Sequence, residues 1–177
     1  MKFHLTKKDK KLLVELFLFI KNSYICNMEH ARGEYNFKKD ILKGENGENE
    51  IKEILESFGF KYIGNCKNNQ FDLIMEYNRV PYTYEIKTDT YLDTGNLVVE
   101  IESRGKLSGI SVTNADYFLT YFRNKKEIWT IKTDSLKELI KENNFFLKNG
   151  GDKGSNTKFY IIKKEKFKSH FQVYKID

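Results

Sequence analysis

The chain has 177 residues, 40% of them apolar, enough to bury one core and too few for two comfortable domains, which excludes wholesale disorder. Its formal net charge of +6 favours polyanionic partners, nucleic acid ahead of an anionic membrane surface. Its two cysteines, Cys26 and Cys66, form no CxxC pair, so they read as reduced thiols of an intracellular, cytoplasmic protein and not as zinc ligands.

Residues 6–24 are expected to be helical, because Leu12, Leu13, Leu16, Phe17 and Ile20 recur at helical spacing. Lys7–Lys11 before an apolar run mimics a signal peptide, but Glu15 interrupts the run and no small-residue cleavage site follows. The run also falls short of the roughly 20 apolar residues that a membrane span needs, so no membrane role is expected. Residues 25–43 are polar, a linker or a short helix. Residues 1–43 together form an N-terminal helical extension, a candidate dimer element or DNA-binding arm.

A second helix is expected over Gly44–Phe58, with Ile51, Ile54, Leu55 and Phe58 as its apolar stripe and Gly59 as its terminator. Phe60–Ile63 suits a short edge strand. Phe71–Tyr77 and Tyr82–Thr88 read as a hairpin around the turn residues Asn78–Pro81, with Pro81 kept out of the strand interior. Leu97–Ile101 is a third strand, and Tyr117–Phe122 and Ile128–Ile131 are two more, joined at Arg123–Lys126. A helix over Ser135–Asn143, a loop over Gly150–Asn156 and a last strand over Lys158–Lys163 complete the series. This order predicts an α/β (α+β) domain over 44–177, a central mixed β-sheet flanked by helices.

The residue types with chemistry to offer concentrate on the hairpin. Asp72 opens its first strand, and Glu85-Ile86-Lys87 lies in its second. Side chains alternate along a strand, so Glu85 and Lys87 share one face and Ile86 takes the other. Pairing in the hairpin brings Asp72 close to Glu85. Two carboxylates at one point repel unless a divalent cation lies between them, and Mg²⁺ (Mn²⁺ as substitute) is bound in this way, with waters and phosphate oxygens completing its shell. Such an ion polarises a phosphoryl group and lowers the pKa of a bound water. Lys87 would hold the attacking water or neutralise transition-state charge, and the Ile86 carbonyl would offer a further oxygen ligand.

Three segments in order resemble the PD-(D/E)XK nuclease superfamily. "KGENGENEIKEILESFGF" (Lys43–Phe60) is similar to its first helix, with Glu48 in the place of the helix glutamate and Glu45 as competitor. "FDLIM" (Phe71–Met75) is similar to the strand with the metal aspartate, here Asp72. "YEIKT" (Tyr84–Thr88) is similar to the (D/E)-x-K strand, here Glu85 and Lys87. The resemblance covers 44–132 and implies a restriction-endonuclease-like core, a metal-dependent DNA endonuclease activity, and a supporting metal role for Glu48. Phe71 stands where the family has proline, and Glu102–Asp116 lacks the long helix usual there.

"ESRGKLSGISVTNADYF" (Glu102–Phe118) resembles a segment of viral and phage-type members. Its Arg104, Lys106, Ser108, Thr113 and Asn114 suit phosphate contacts in a substrate loop, while Asp116 reads as a turn or capping residue. Lys153 and Lys158 lie within reach of phosphate if the 150–156 loop overhangs the cleft, and a plain surface loop is the competing reading. His4, His30 and His170 are scattered, with no histidine-metal grouping, no Gly-Lys-Ser/Thr phosphate loop and no Gly-x-Ser-x-Gly. The expected function is a Mg²⁺-dependent DNA endonuclease, structure-selective in the manner of a junction resolvase and working as a homodimer. A sequence-specific restriction, repair or homing nuclease and a non-catalytic nucleic-acid-binding protein with the same fold are the alternatives.

Overall fold

A computed structural model describes residues 38–66, 70–90, 94–151 and 155–176, with side chains from Gly47 onward. The helix expected over 6–24, Cys26, Lys153 and the Glu45 side chain lie outside the described residues.

Helix α1 spans Lys38–Ser57 and so begins ahead of the predicted Gly44. It is followed by strands β1 (Lys61–Asn65), β2 (Leu73–Tyr77) and β3 (Val80–Asp89). Next come β4 (Asn96–Ser103), the two-residue β5 (Lys106–Leu107) and a 3₁₀ turn at Gly109–Ser111. Strands β6 (Tyr117–Phe122) and β7 (Glu127–Lys132) precede helix α2 (Thr133–Glu142). The chain ends with β8 (Phe146–Gly150), β9 (Thr157–Lys163), the short helix α3 (Lys164–Phe167) and β10 (Gln172–Lys175).

Six strands form a mixed central sheet in the order β1-β2-β3-β6-β7-β10, and four form a second sheet in the order β5-β4-β9-β8. All central pairs are antiparallel except β3 with β6. A parallel pair needs a long crossover, usually a helix. Here β4, β5 and the 3₁₀ turn make that crossover, and β4 pairs with β9 outside the central sheet. This corrects the placement of Leu97–Ile101 as a third strand of the same sheet, and it accounts for the missing helix in Glu102–Asp116. Lys158–Lys163 is likewise not the last strand, because β10 returns to the central sheet beside β7.

Alternation along β3 and β6 divides the core into two layers. Tyr82, Tyr84, Ile86, Tyr117, Leu119 and Tyr121 pack with Ile51, Ile54 and Leu55 of α1. Phe118 and Phe122 pack on the opposite face with Leu97, Val99 and Ile162 of the second sheet and Leu136 and Leu139 of α2. The helix seats closely on β3: Gly47 is buried, and a Cβ there would lie 2.0 Å from Thr88 Oγ1. An Arg123–Glu50 ion pair at 2.9 Å ties the same helix to the end of β6.

The β2–β3 hairpin is tighter than expected. Asn78 (φ 51°) and Arg79 (φ 66°) both take the left-handed conformation of a type I′ turn, and Tyr77 pairs directly with Val80. Pro81 is therefore inside the strand, opposite Glu76, one residue beyond the pair that closes the turn. Hydrogen-bonded and non-bonded pairs alternate in an antiparallel ladder, so a residue at this position needs no N–H.

Candidate active site

The site grows from the offset between β2 and β3. The last ladder pair at this end is Leu73 with Tyr84, so β3 continues through Glu85, Ile86 and Lys87 after β2 has ended. Its other edge stays covered, since Tyr84–Asp89 pair with Tyr117–Phe122 of β6. The result is a notch where, among the described residues, no strand pairs with one edge of β3 beyond Tyr84 while β6 covers the other.

Asp72 lies at the floor of this notch. Its N–H donates to the Tyr84 carbonyl at 2.8 Å, and its Oδ2 accepts from the Ile86 N–H at 2.6 Å. In an extended strand a residue's N–H and C=O leave by the same edge, so the Ile86 carbonyl also opens towards the Asp72 side. Glu85 pairs with Phe118 across the parallel ladder, which places it and Lys87 on the face opposite Ile86. Lys87 Nζ lies 2.6 Å from Glu85 Oε1, with Glu85 buried and Lys87 half-buried.

The electrostatics fit two carboxylates sharing one point. Burial raises the Asp72 pKa, Glu85 raises it further, and Lys87 and the Ile86 N–H oppose the rise without cancelling it. Burial disfavours the Lys87 ammonium, yet Glu85 and Asp72 more than compensate and hold its pKa above the usual lysine value. Glu100 of β4 adds to that field, and its Oε1 accepts from Ser108 Oγ at 2.7 Å. Sequence spacing offers no signal for Glu100, because its approach depends on β4 leaving the central sheet.

The structure thus gathers Asp72, Glu85, Lys87 and the Ile86 backbone. Gly47, next to Glu48, abuts Thr88 on the Ile86 side of β3, while Glu85 lies on the other face of that strand. Among the described residues no three His, Cys, Asp or Glu side chains enclose a common metal position, so Glu48 does not complete a three-carboxylate cluster.

The predicted substrate loop divides into two groups. Arg104, Lys106 and Asn114 are exposed. Thr113 is not a phosphate contact, because it is 0% exposed and its hydroxyl donates to the Gln70 carbonyl at 3.0 Å. The Ser108 hydroxyl is directed to Glu100 and so turned inward. With Asn114 N–H also bonded to Gln70 at 2.8 Å, the loop is buttoned to the segment leading into Asp72. Asp116 is structural, as read: its Oδ2 accepts from both the N–H and the hydroxyl of Thr83 at 2.8 Å. Lys158 is paired with Glu102 at 2.9 Å.

No protein-family model matches the chain, and no curated protein is detectably similar to it. Among solved structures, a bacterial homing endonuclease matches 53% of this chain and 69% of its own, at 15% identity and a TM-score of 0.42. A likeness this slight transfers no function. No helix among the described residues is long and apolar enough to cross a membrane.

Proposed function

We propose that the chain is a Mg²⁺-dependent endonuclease of the PD-(D/E)XK type that hydrolyses DNA phosphodiester bonds in the notch between β2 and β3. The observation that carries this reading is the convergence of Asp72, Glu85 and Lys87 at a strand edge left open by the shorter β2. A half-buried aspartate with a raised pKa beside a second carboxylate is a donor set that suits a hard divalent ion, with Mn²⁺ as a substitute.

Asp72 and Glu85 would hold the ion, with the Ile86 carbonyl as a neutral third oxygen. Bound there, Mg²⁺ supplies charge that polarises the phosphoryl group and acidifies the water used for hydrolysis. The Ile86 N–H keeps Asp72 in one orientation, so the second carboxylate oxygen stays aimed into the notch. Lys87 Nζ contacts Glu85 Oε1 at 2.6 Å. With Glu85 engaged in holding an ion, the Lys87 ammonium would be free to hold the attacking water and to neutralise charge on the non-bridging oxygens. Glu48 is given a supporting role outside this pair.

Exposed Arg104, Lys106 and Asn114 extend from the same loop that is bonded to Gln70, so they supply phosphate contacts beside the notch. The small basic domain favours a structure-selective substrate such as branched DNA, with the 6–24 segment as the dimer element.

Incubation with plasmid and four-way-junction DNA, with Mg²⁺, with Mn²⁺ or with EDTA, tests the proposal. Cleavage that requires the ion and is lost in Glu85→Ala is the expected result. Tight DNA binding with no cleavage in either ion would instead make this a binding protein.

A further inference from the structure

The second sheet turns outward a face that the notch does not use. Leu97, Val99 and Ile162 are each 0% exposed against the central sheet, so the alternate residues of β4 and β9 face away from it. Ladder register aligns Val98 of β4, Ile161 of β9 and Phe146 of β8 in one row, with Val98 41% and Phe146 69% exposed. Beside the row, Lys163 stands opposite Asn96 at one end, and at the other Phe159 stands between Lys148 and Glu100, whose carboxylate accepts from Ser108. A groove of about 440 Å³ opens at the Lys163 end, where Asn143, Asn144, Phe145, Phe146, Lys163 and Lys166 contribute to its wall. No aspartate or glutamate lines it.

Each of these groups matches one part of a nucleotide. An exposed aromatic ring on a sheet offers a surface to the π-face of any base, and lysines beside it take the phosphates. Asparagine amides present a donor and an acceptor to a base edge. The groove's volume falls within the range of small-ligand pockets. Bases in a duplex are stacked and hidden from a flat sheet, so a ring placed here reaches only unpaired ones. The lysines favour a polyanion as the occupant, and a second copy of the chain is the outcome that the sedimentation arm below distinguishes. In the same sheet Glu100 and Glu102 are already engaged, by Ser108 and Lys158.

We infer that the outer face of the second sheet binds an unpaired stretch of nucleic acid, with a base on Phe146 and phosphates on Lys148 and Lys163. This site is separate from the catalytic notch and does not depend on the cleavage reading. On a flapped or gapped substrate it would engage the single-stranded portion.

The full-length chain in EDTA, titrated into a fluorescently labelled oligo-dT and followed by anisotropy, tests the inference. Phe146→Ala is expected to weaken single-strand binding roughly 5- to 100-fold, the usual range for loss of one stacking contact, and to leave duplex binding unchanged. Phe146→Trp should restore affinity. Lys148→Gln with Lys163→Gln should flatten the salt dependence by about one counterion each. Wild-type affinity in Phe146→Ala would overturn the inference. So would concentration-dependent self-association in sedimentation that Phe146→Ala abolishes while single-strand affinity stays constant.

Discussion

The Ile86 N–H holds Asp72 Oδ2 at 2.6 Å, so a carboxylate at the mouth of one strand is fixed to the backbone of the next, one residue from Glu85. That bond favours ionised Asp72, while burial and Glu85 disfavour it more strongly. Ionised Asp72 is therefore disfavoured in the folded chain.

This has a consequence for stability against pH. The folded chain retains the Asp72 proton at pH values where the unfolded chain has lost it, so folded stability falls as pH rises from the ordinary aspartate range through the raised value. Asp72→Asn removes the effect and keeps an oxygen for the Ile86 N–H. In EDTA at neutral pH its Tm should exceed that of wild type, and the two should converge towards acid pH. Saturating Mg²⁺ should raise the wild-type Tm and leave the variant's unchanged. A variant that melts below wild type in EDTA would contradict this reading.

Lys87→Ala should lower kcat for DNA cleavage by roughly 10²- to 10³-fold, the usual cost of removing a donor aimed at transition-state charge. Lys87→Arg should rescue little, because a planar guanidinium does not reproduce a compact ammonium. Circular dichroism should show both variants folded, since the Lys87 side chain is 37% exposed.

Gly47→Ala tests the seating of α1. Alanine in a helix interior ordinarily stabilises, but here the new Cβ meets Thr88 Oγ1 at 2.0 Å and Thr88 Cβ at 2.9 Å. Urea denaturation should show a loss of about 1–3 kcal/mol, and Thr88→Ala in the same background should recover part of it.

Thr113 and Lys106 should separate cleanly in a DNA-binding assay. Thr113→Val removes the donor to Gln70 and the acceptor for the Ala115 N–H, so it should cost stability of about 1–3 kcal/mol. Lys106→Gln, at an exposed position, should leave the Tm unchanged while reducing the salt slope of DNA binding by about one.

Much of this arrangement was legible in the sequence because it is local. The hairpin carrying Asp72, Glu85 and Lys87 depends on alternation and a short turn, and β2, β3, β6, β7 and α2 lie close to their expected positions. What escaped is set by distant partners. Leu97–Ile101 has a strand's pattern, but nothing in it tells that its neighbour is β9 and not β3. β8 is 5 residues with an exposed surface and β10 only 4, too short and polar to announce themselves. Thr113 looks like any loop hydroxyl until its carbonyl partner at Gln70 is placed.

Crystals soaked in Mn²⁺ and measured at the manganese edge address the notch most directly. An anomalous peak roughly 2.1 Å from oxygens of both Asp72 and Glu85, absent in Glu85→Ala crystals, is the predicted result. No peak at saturating Mn²⁺, or one elsewhere on the molecule with the notch vacant, would contradict the account.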